Sequence, residues 1–250
     1  NKNSTKSSPY VIEEESIQSH DNRILIVMGV LVLCFICVGV LASNSVTKDP
    51  LKEAIEKDIK IRNQVSGLIN KDKPSKAELT ELENKRKGMI YIPAGAMLTG
   101  NLNQEIEKGM VSAFDKRASI KKLKAFYIDK YEFPNIDGSS PITQVTYAQA
   151  QSLCNAQGKR LCSSFEWEKA CRGMNSLIFS YGDSFEEYKC TLNEKYRLGK
   201  DKTCKGENGV FGMSGGPREW TITTSETDPK RKVIKGGDLF GSSEPAKYRC

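Results

Sequence analysis

PITQVTYAQAQSLCNAQGKRLCSSFEWEKACRG, residues Pro141 to Gly173, predicts two short helices joined by a basic turn, with cysteines at Cys154, Cys162 and Cys171. Thr146 stands at an N-cap position. Tyr147, Ala150, Leu153 and Cys154 then recur at helical spacing before Gly158 supplies a stop. Ser163 followed by Glu166 reads as a capping box, in which the hydroxyl accepts from the Glu166 amide and the carboxylate reaches back to the Ser163 amide. The helix it starts presents Trp167, Ala170 and Cys171 on one side and stops at Gly173.

With the turn Gly158–Leu161, the Glu166–Trp167–Glu168 core and the ending Cys171–Arg172–Gly173, this stretch resembles the central segment of the formylglycine-generating enzyme (sulfatase-modifying factor) family. Further stretches resemble the family in the same order. Met89–Gly95 (MIYIPAG) is similar to its opening strand and Phe126–Glu132 (FYIDKYE) to its second. Gly209–Gly215 running into Glu219-Trp220-Thr221 is similar to its Ser-Gly-Asn-x-x-Glu-Trp-Thr segment. Val233–Gly237 followed by Tyr248-Arg249-Cys250 resembles its closing strand and arginine segment. The likeness covers about Lys87 to Cys250.

The resemblance implies an α+β fold, the formylglycine-enzyme form of the C-type-lectin-like fold, loop-rich and supported by disulfides. From pattern alone the chain reads as α+β with frequent glycine punctuation. The resemblance also implies a bridge from Cys171 to Cys250, closing a loop of about 80 residues for roughly 4 to 5 kcal/mol in the chain-entropy treatment. Cys190 and Cys204 bracket a polar, lysine-rich loop, and a bridge there contributes about 3 kcal/mol. Cys154 and Cys162 remain by subtraction. In the family the counterpart of Cys154 pairs with a cysteine lying beyond Cys250, so its partner stays open.

Residues 1–23 are polar and without apolar periodicity, the composition of a flexible cytoplasmic tail. From Ile24 to Ala42 there is no charge. At about 1.5 Å per residue that run reaches roughly 28 Å, enough for one transmembrane helix. A cleaved signal peptide fits less well, because the apolar run is long and a polar tail precedes it. The six cysteines from Cys154 to Cys250 all follow this span, which places the C-terminal domain in an oxidising compartment, the periplasmic side of a bacterial inner membrane. Residues 43–87 read as a helical stalk or linker, with an apolar stripe at Leu51, Ile55, Ile59, Val65 and Ile69. The stripe suits light packing on the domain or contact with another membrane protein. Residues 88–250 form the domain.

Catalysis by the family's route fails for lack of side chains. The resemblance puts its copper-holding cysteine pair four residues after the Gly-Gly and five further on, which here are Gly241 and Ala246. Neither carries a thiolate, and Cys250 is the sole cysteine from Thr221 onward. His20 is the one histidine, which excludes histidine-ligated iron chemistry and, with no CxxC among the six cysteines, makes a tetrahedral zinc site improbable. The family's calcium segment reads Ser214-Gly215-Gly216-Pro217-Arg218-Glu219: the asparagine is replaced by Gly216, leaving Glu219 as a weak calcium candidate and otherwise a local partner of Arg218 or a backbone amide. No other cofactor is expected. The net charge of +7 is spread among interspersed acids, without the arginine and aromatic platforms of nucleic-acid binding.

The expected function is therefore that of a non-catalytic, membrane-anchored binding or scaffolding protein in a bacterial envelope complex, its partners met through the stalk and the domain surface. Related domains in gliding-machinery lipoproteins add a motility hint by fold-level analogy. The alternatives are a sulfatase-modifying-type oxidase or another enzyme of the family, and a stand-alone lectin-like module binding glycan or peptide.

Overall fold

The computed structural model describes residues 49–69, 74–111, 116–186, 189–190, 198–237 and 244–250. The expected span from Ile24 to Ala42 lies outside them. Among the described residues no helix is long and apolar enough to cross a membrane. Residues 49–250 form one compact unit.

Its elements are α1 (Pro50–Ile69), α2 (Lys76–Lys85), β1 (Met89–Ile92), β2 (Gly95–Thr99), α3 (Asn103–Glu107), β3 (Ser119–Leu123), β4 (Phe126–Asp129), α4 (Tyr147–Ala156), α5 (Ser164–Arg172), β5 (Glu219–Thr224) and β6 (Lys232–Lys235), with 3-10 turns at Lys202–Cys204 and Pro245–Lys247. The strands pair as three separate antiparallel ladders, β1 with β4, β2 with β3 and β5 with β6. So little sheet cannot enclose a core by itself, and helices and loops complete it. One apolar cluster gathers Val65, Ala96, Leu98, Leu102, Ile178, Phe179 and Tyr248; another gathers Ile92, Ile128, Trp167, Ala170, Val210, Met213 and the Cys171–Cys250 pair.

The helix pair forms as its sequence dictates. Thr146 Oγ1 accepts from the Gln149 amide, and Gln149 Oε1 accepts from the Thr146 amide at 2.8 Å. Ser163 and Glu166 exchange the same two bonds at 3.2 and 2.8 Å. Gly173 ends α5 at φ 64°, and a Cβ there would sit 2.4 Å from the Glu207 carboxylate, so the stop is required twice over.

The helix read as a stalk is docked on the domain. Its buried face follows the expected stripe only in part: Val65 is buried and Leu51 and Ile55 are half-buried, but Ile59 is 49% exposed, and Ala54 and Asp58 are buried beside them. Asp58 accepts from the Asn103 and Gln104 amides, both at 2.9 Å, and so supplies the first turn of α3 with the acceptor that its own N-cap residue, Leu102, cannot offer. One turn on, Arg62 grips Asp183 with both guanidinium nitrogens at 2.5 and 2.8 Å.

Between helix α5 and the chain end lies a buried charge network. Arg172, 2% exposed, donates to Glu168 at 3.0 Å and to the Gly100 and Leu177 carbonyls, and lies 3.8 Å from Glu105, which is fully buried. Glu105 also accepts from the Leu102 amide and from Arg249, while Lys235 reaches Glu168 and the Cys250 carbonyl. Cys171 is joined to Cys250, and Cys190 to Cys204.

Candidate functional site

A half-open cavity of about 170 Å³ lies between β4, α4, the Gly158–Leu161 turn, the Val210–Met213 loop and the start of β5. Each wall follows from local sequence. β4 brings Tyr127, Ile128 and Asp129 to the cavity wall, Ile128 also packing in the core behind it. Helix α4 contributes Ala150, Leu153 and Cys154 at helical spacing. Trp220 is fixed by its indole N–H, which donates to the Val145 carbonyl at 2.9 Å.

The polar groups are few and mostly fixed. Lys159 Nζ is 2.7 Å from Asp129 Oδ1, which also accepts from Asn135 at 3.0 Å. Arg160 is held in a two-point pair with Glu166 at 2.6 and 2.8 Å. Both cations at the turn are thus neutralised locally. The Glu132 carboxylate lies against a glycine floor: a Cβ at Gly212 would be 2.0 Å from it and one at Gly216 2.6 Å. Glycine at 216, where the resemblance leads one to expect asparagine, is required first by the Gly212 carbonyl, 2.2 Å from a Cβ placed there, and then by Glu132.

Glu219 faces the same space. The residue keeps some exposure along its length while its carboxyl end is packed deep. Burial, reinforced by the charges of Glu132 and Asp129, pushes it up to about 8, against the opposing pull of the Trp167 indole N–H. Arg218 and Glu219 both line the cavity, Arg218 exposed and Glu219 half-buried, and among the described residues no ion pair is formed between them. Among the described residues no three His, Cys, Asp or Glu side chains gather as a metal-ligand set.

A carboxyl that holds its proton more tightly when folded stabilises the protein at low pH. That contribution is present in full below about 4.5 and is lost as pH rises through about 8. Lys169, lowered to about 8 by burial, acts in the opposite sense at higher pH. Thermal unfolding between pH 5 and 8 should therefore show a stability decline in the wild type, of the order of a few kcal/mol, that Glu219→Gln flattens. Parallel curves for the two proteins would contradict this.

Cys154 and Cys162 also line the cavity, and they are free thiols. Both were counted among the disulfide cysteines with their partners left open, and the structure leaves both unbonded. The turn between them is pinned by Lys159 on Asp129 and Arg160 on Glu166, which fixes the end of α4 and the Ser163 cap at their own spacing. Burial, and then the nearby Asp129, raises the Cys154 thiol; burial, and then Glu219, pushes Cys162 up to about 12. Neither is poised as a thiolate nucleophile. Of the two positions matched to the oxidase cysteines, Gly241 lies outside the described residues and Ala246 is in the 3-10 turn Pro245–Lys247. Cys250, nearby in sequence, is only 4% exposed and bonded to Cys171.

Residues 134–250 match the sulfatase-modifying factor enzyme 1-like domain. The matched domain takes in α4, α5, both described disulfides and the β5–β6 ladder; α1, α2, α3 and β1 to β4 precede it, and of these α1, β1, β2 and β4 place residues in its apolar clusters. Among curated proteins, the uncharacterized protein YfmG of Bacillus subtilis (strain 168) is 25% identical over 244 residues, covering 63% of this chain and 49% of the relative. A protein of Bos taurus named inactive C-alpha-formylglycine-generating enzyme 2 is 26% identical over 121 residues, covering 42% of this chain and 40% of the relative. The chain thus spans less than half the length of each of these relatives.

Sequence reasoning placed Glu219 and the cysteines but missed Glu132, Asp129 and the Trp167 N–H as cavity groups. The available signal was the charged Asp129 and Glu132 within the aromatic run FYIDKYEF, where a solvated surface strand would show fewer rings.

Proposed function

We propose that this chain is a non-catalytic formylglycine-enzyme-like protein, anchored by one span in a bacterial inner membrane with its domain in the periplasm, acting there as a binding or scaffolding component of an envelope complex. The observation that carries the reading is the state of the sulfur. The last cysteine, Cys250, is buried in a bridge to Cys171, and the two free thiols lie in the cavity with raised proton affinity. An oxidase of this family type needs an accessible thiol pair able to hold copper, and no such pair is present among the described residues. The resemblance of residues 134–250 to a domain that includes a relative named inactive supports the same reading. Contact surfaces are available on the outer side of α1, where Ile59 and Leu68 are exposed, and on the β5–β6 ladder at Ile222 and Ile234.

Alkylation of the unreduced protein in denaturant, followed by peptide mapping, checks the sulfur directly. Of the cysteines after Lys48, Cys154 and Cys162 should be labelled, with Cys171, Cys190, Cys204 and Cys250 unlabelled. A labelled Cys250 would contradict the reading.

A further inference from the structure

Helix α4 and the turn after it bring two free thiols, Cys154 and Cys162, to the wall of one cavity. Both stand on fixed backbone. The Cys154 carbonyl accepts from the Gln157 and Lys159 amides, each at 3.0 Å, and the Cys162 carbonyl accepts from the Ile222 amide at 2.9 Å. The turn between them is pinned at Lys159 on Asp129 and at Arg160 on Glu166. The sulfurs are near enough for a charge on Cys154 to be felt at Cys162, and among the described residues neither is engaged in a hydrogen bond or a disulfide. Around them the walls are largely apolar, with Tyr127, Leu153, Trp167 and Trp220, and the volume of about 170 Å³ is near the ~150 Å³ of engineered cavities that accept a benzene ring.

The chemistry of the pair decides which class of ligand fits. Burial and the neighbouring acids hold both thiol protons tightly. A metal cation bound as a dithiolate has to expel both protons, and no third His, Cys, Asp or Glu gathers with the pair among the described residues to complete a coordination shell. A trivalent organoarsenical makes neither demand. Its arsonous form, R–As(OH)2, condenses with two thiols: two As–O bonds break, two As–S bonds form, and the thiol protons leave with the hydroxyl groups as two molecules of water. Arsenic stays trivalent, no proton is released to solvent, and the substituent R needs an apolar pocket of the kind these walls make.

We propose that Cys154 and Cys162 form a dithiol site for one trivalent organoarsenical with an aryl or short alkyl substituent, both sulfurs bonded to arsenic and the substituent lying among Tyr127, Leu153, Trp167 and Trp220. The site goes beyond the scaffolding role and does not depend on it, since formylglycine production by the chain would leave it untouched.

The full chain carrying Cys34→Ala and Cys37→Ala keeps Cys154 and Cys162 as its free thiols. Held in detergent at pH 7, it is titrated with phenylarsine oxide while intact mass and tryptophan fluorescence are followed; the chain contains two tryptophans, and both line the cavity. The expected result is a saturable fluorescence change at one arsenic per chain, with the same affinity at pH 6 and pH 7, reversed by excess 2,3-dimercaptopropanol. Both Cys154 and Cys162 should then be protected from iodoacetamide. Cys154→Ser and Cys162→Ser should each bind roughly a hundredfold more weakly, because the second As–S bond is formed within the complex. If a serine variant fails to fold, the protection pattern of the parent chain carries the test by itself. Two arsenic atoms per chain, protection of one cysteine alone, an affinity in concentrated urea equal to that of the folded chain, or recovery of Cys154 in a bridge to another cysteine would overturn the proposal.

Discussion

Replacing Cys171 and Cys250 together by alanine is expected to lower stability by about 4 to 5 kcal/mol, the largest single effect in the domain. The bridge spans 79 residues, so releasing it frees a long loop in the unfolded chain. It also ties the end of α5 to the end of the described chain inside an apolar cluster with Ile92, Trp167, Val210 and Met213. Since domains of this size are stable by only about 5 to 15 kcal/mol, the variant should unfold at far lower denaturant and show a mobile C-terminus. The Cys190–Cys204 bridge spans only 14 residues, and its removal should have the smaller effect. Urea unfolding of the two double variants orders them, and equal losses, or a loss below about 1 kcal/mol for the first, would contradict this view of the core.

Arg172→Met should come next, at about 3 to 5 kcal/mol. The side chain is buried and answers two acids, Glu168 at 3.0 Å and the fully buried Glu105 at 3.8 Å, besides two backbone carbonyls. Methionine replaces much of the aliphatic volume, so the loss measures what happens when two interior carboxylates keep only Arg249 and Lys235 as cationic partners. Adding Glu105→Gln and Glu168→Gln to the same chain should recover part of the loss, because the uncompensated charges are gone. If the triple variant is less stable than Arg172→Met alone, the hydrogen bonds of the two acids to the Leu102 and Gly100 amides outweigh their charge, and the network is held by those bonds instead.

What was legible in the sequence was mostly local. Thr146 with Gln149 and Ser163 with Glu166 are capping boxes whose chemistry acts within one turn, and both form as written. The glycine stop at Gly173 was legible from its neighbours, while the approach of Glu207 to it was not. Long-range pairing of charges was invisible. On α1 the apolar stripe Leu51, Ile55, Ile59, Val65 and Ile69 included the buried Val65, yet the helix leaves Ile59 exposed and turns Asp58 and Arg62 inward because α3 and Asp183 offer them partners 45 and 121 residues away in sequence. A hydrophobicity pattern counts such residues as solvated, and only the fold shows that they are paired. Glu105 and Arg172 were missed for the same reason. The cavity was half legible: Glu219 and the thiols were singled out, but the need for glycine at 216 depends on the close approach of the Gly212 carbonyl and Glu132, which no spacing rule encodes.

The central proposal, that a chain whose residues 134–250 match a sulfatase-modifying factor domain works without that family's thiol chemistry, is tested most directly by a conversion assay. The purified full chain is incubated with copper, oxygen and a cysteine-containing sulfatase-type peptide, and the peptide is weighed by mass spectrometry. The account predicts peptide cysteine unchanged at the level of the enzyme-free control. Conversion of that cysteine to formylglycine above the control would contradict it.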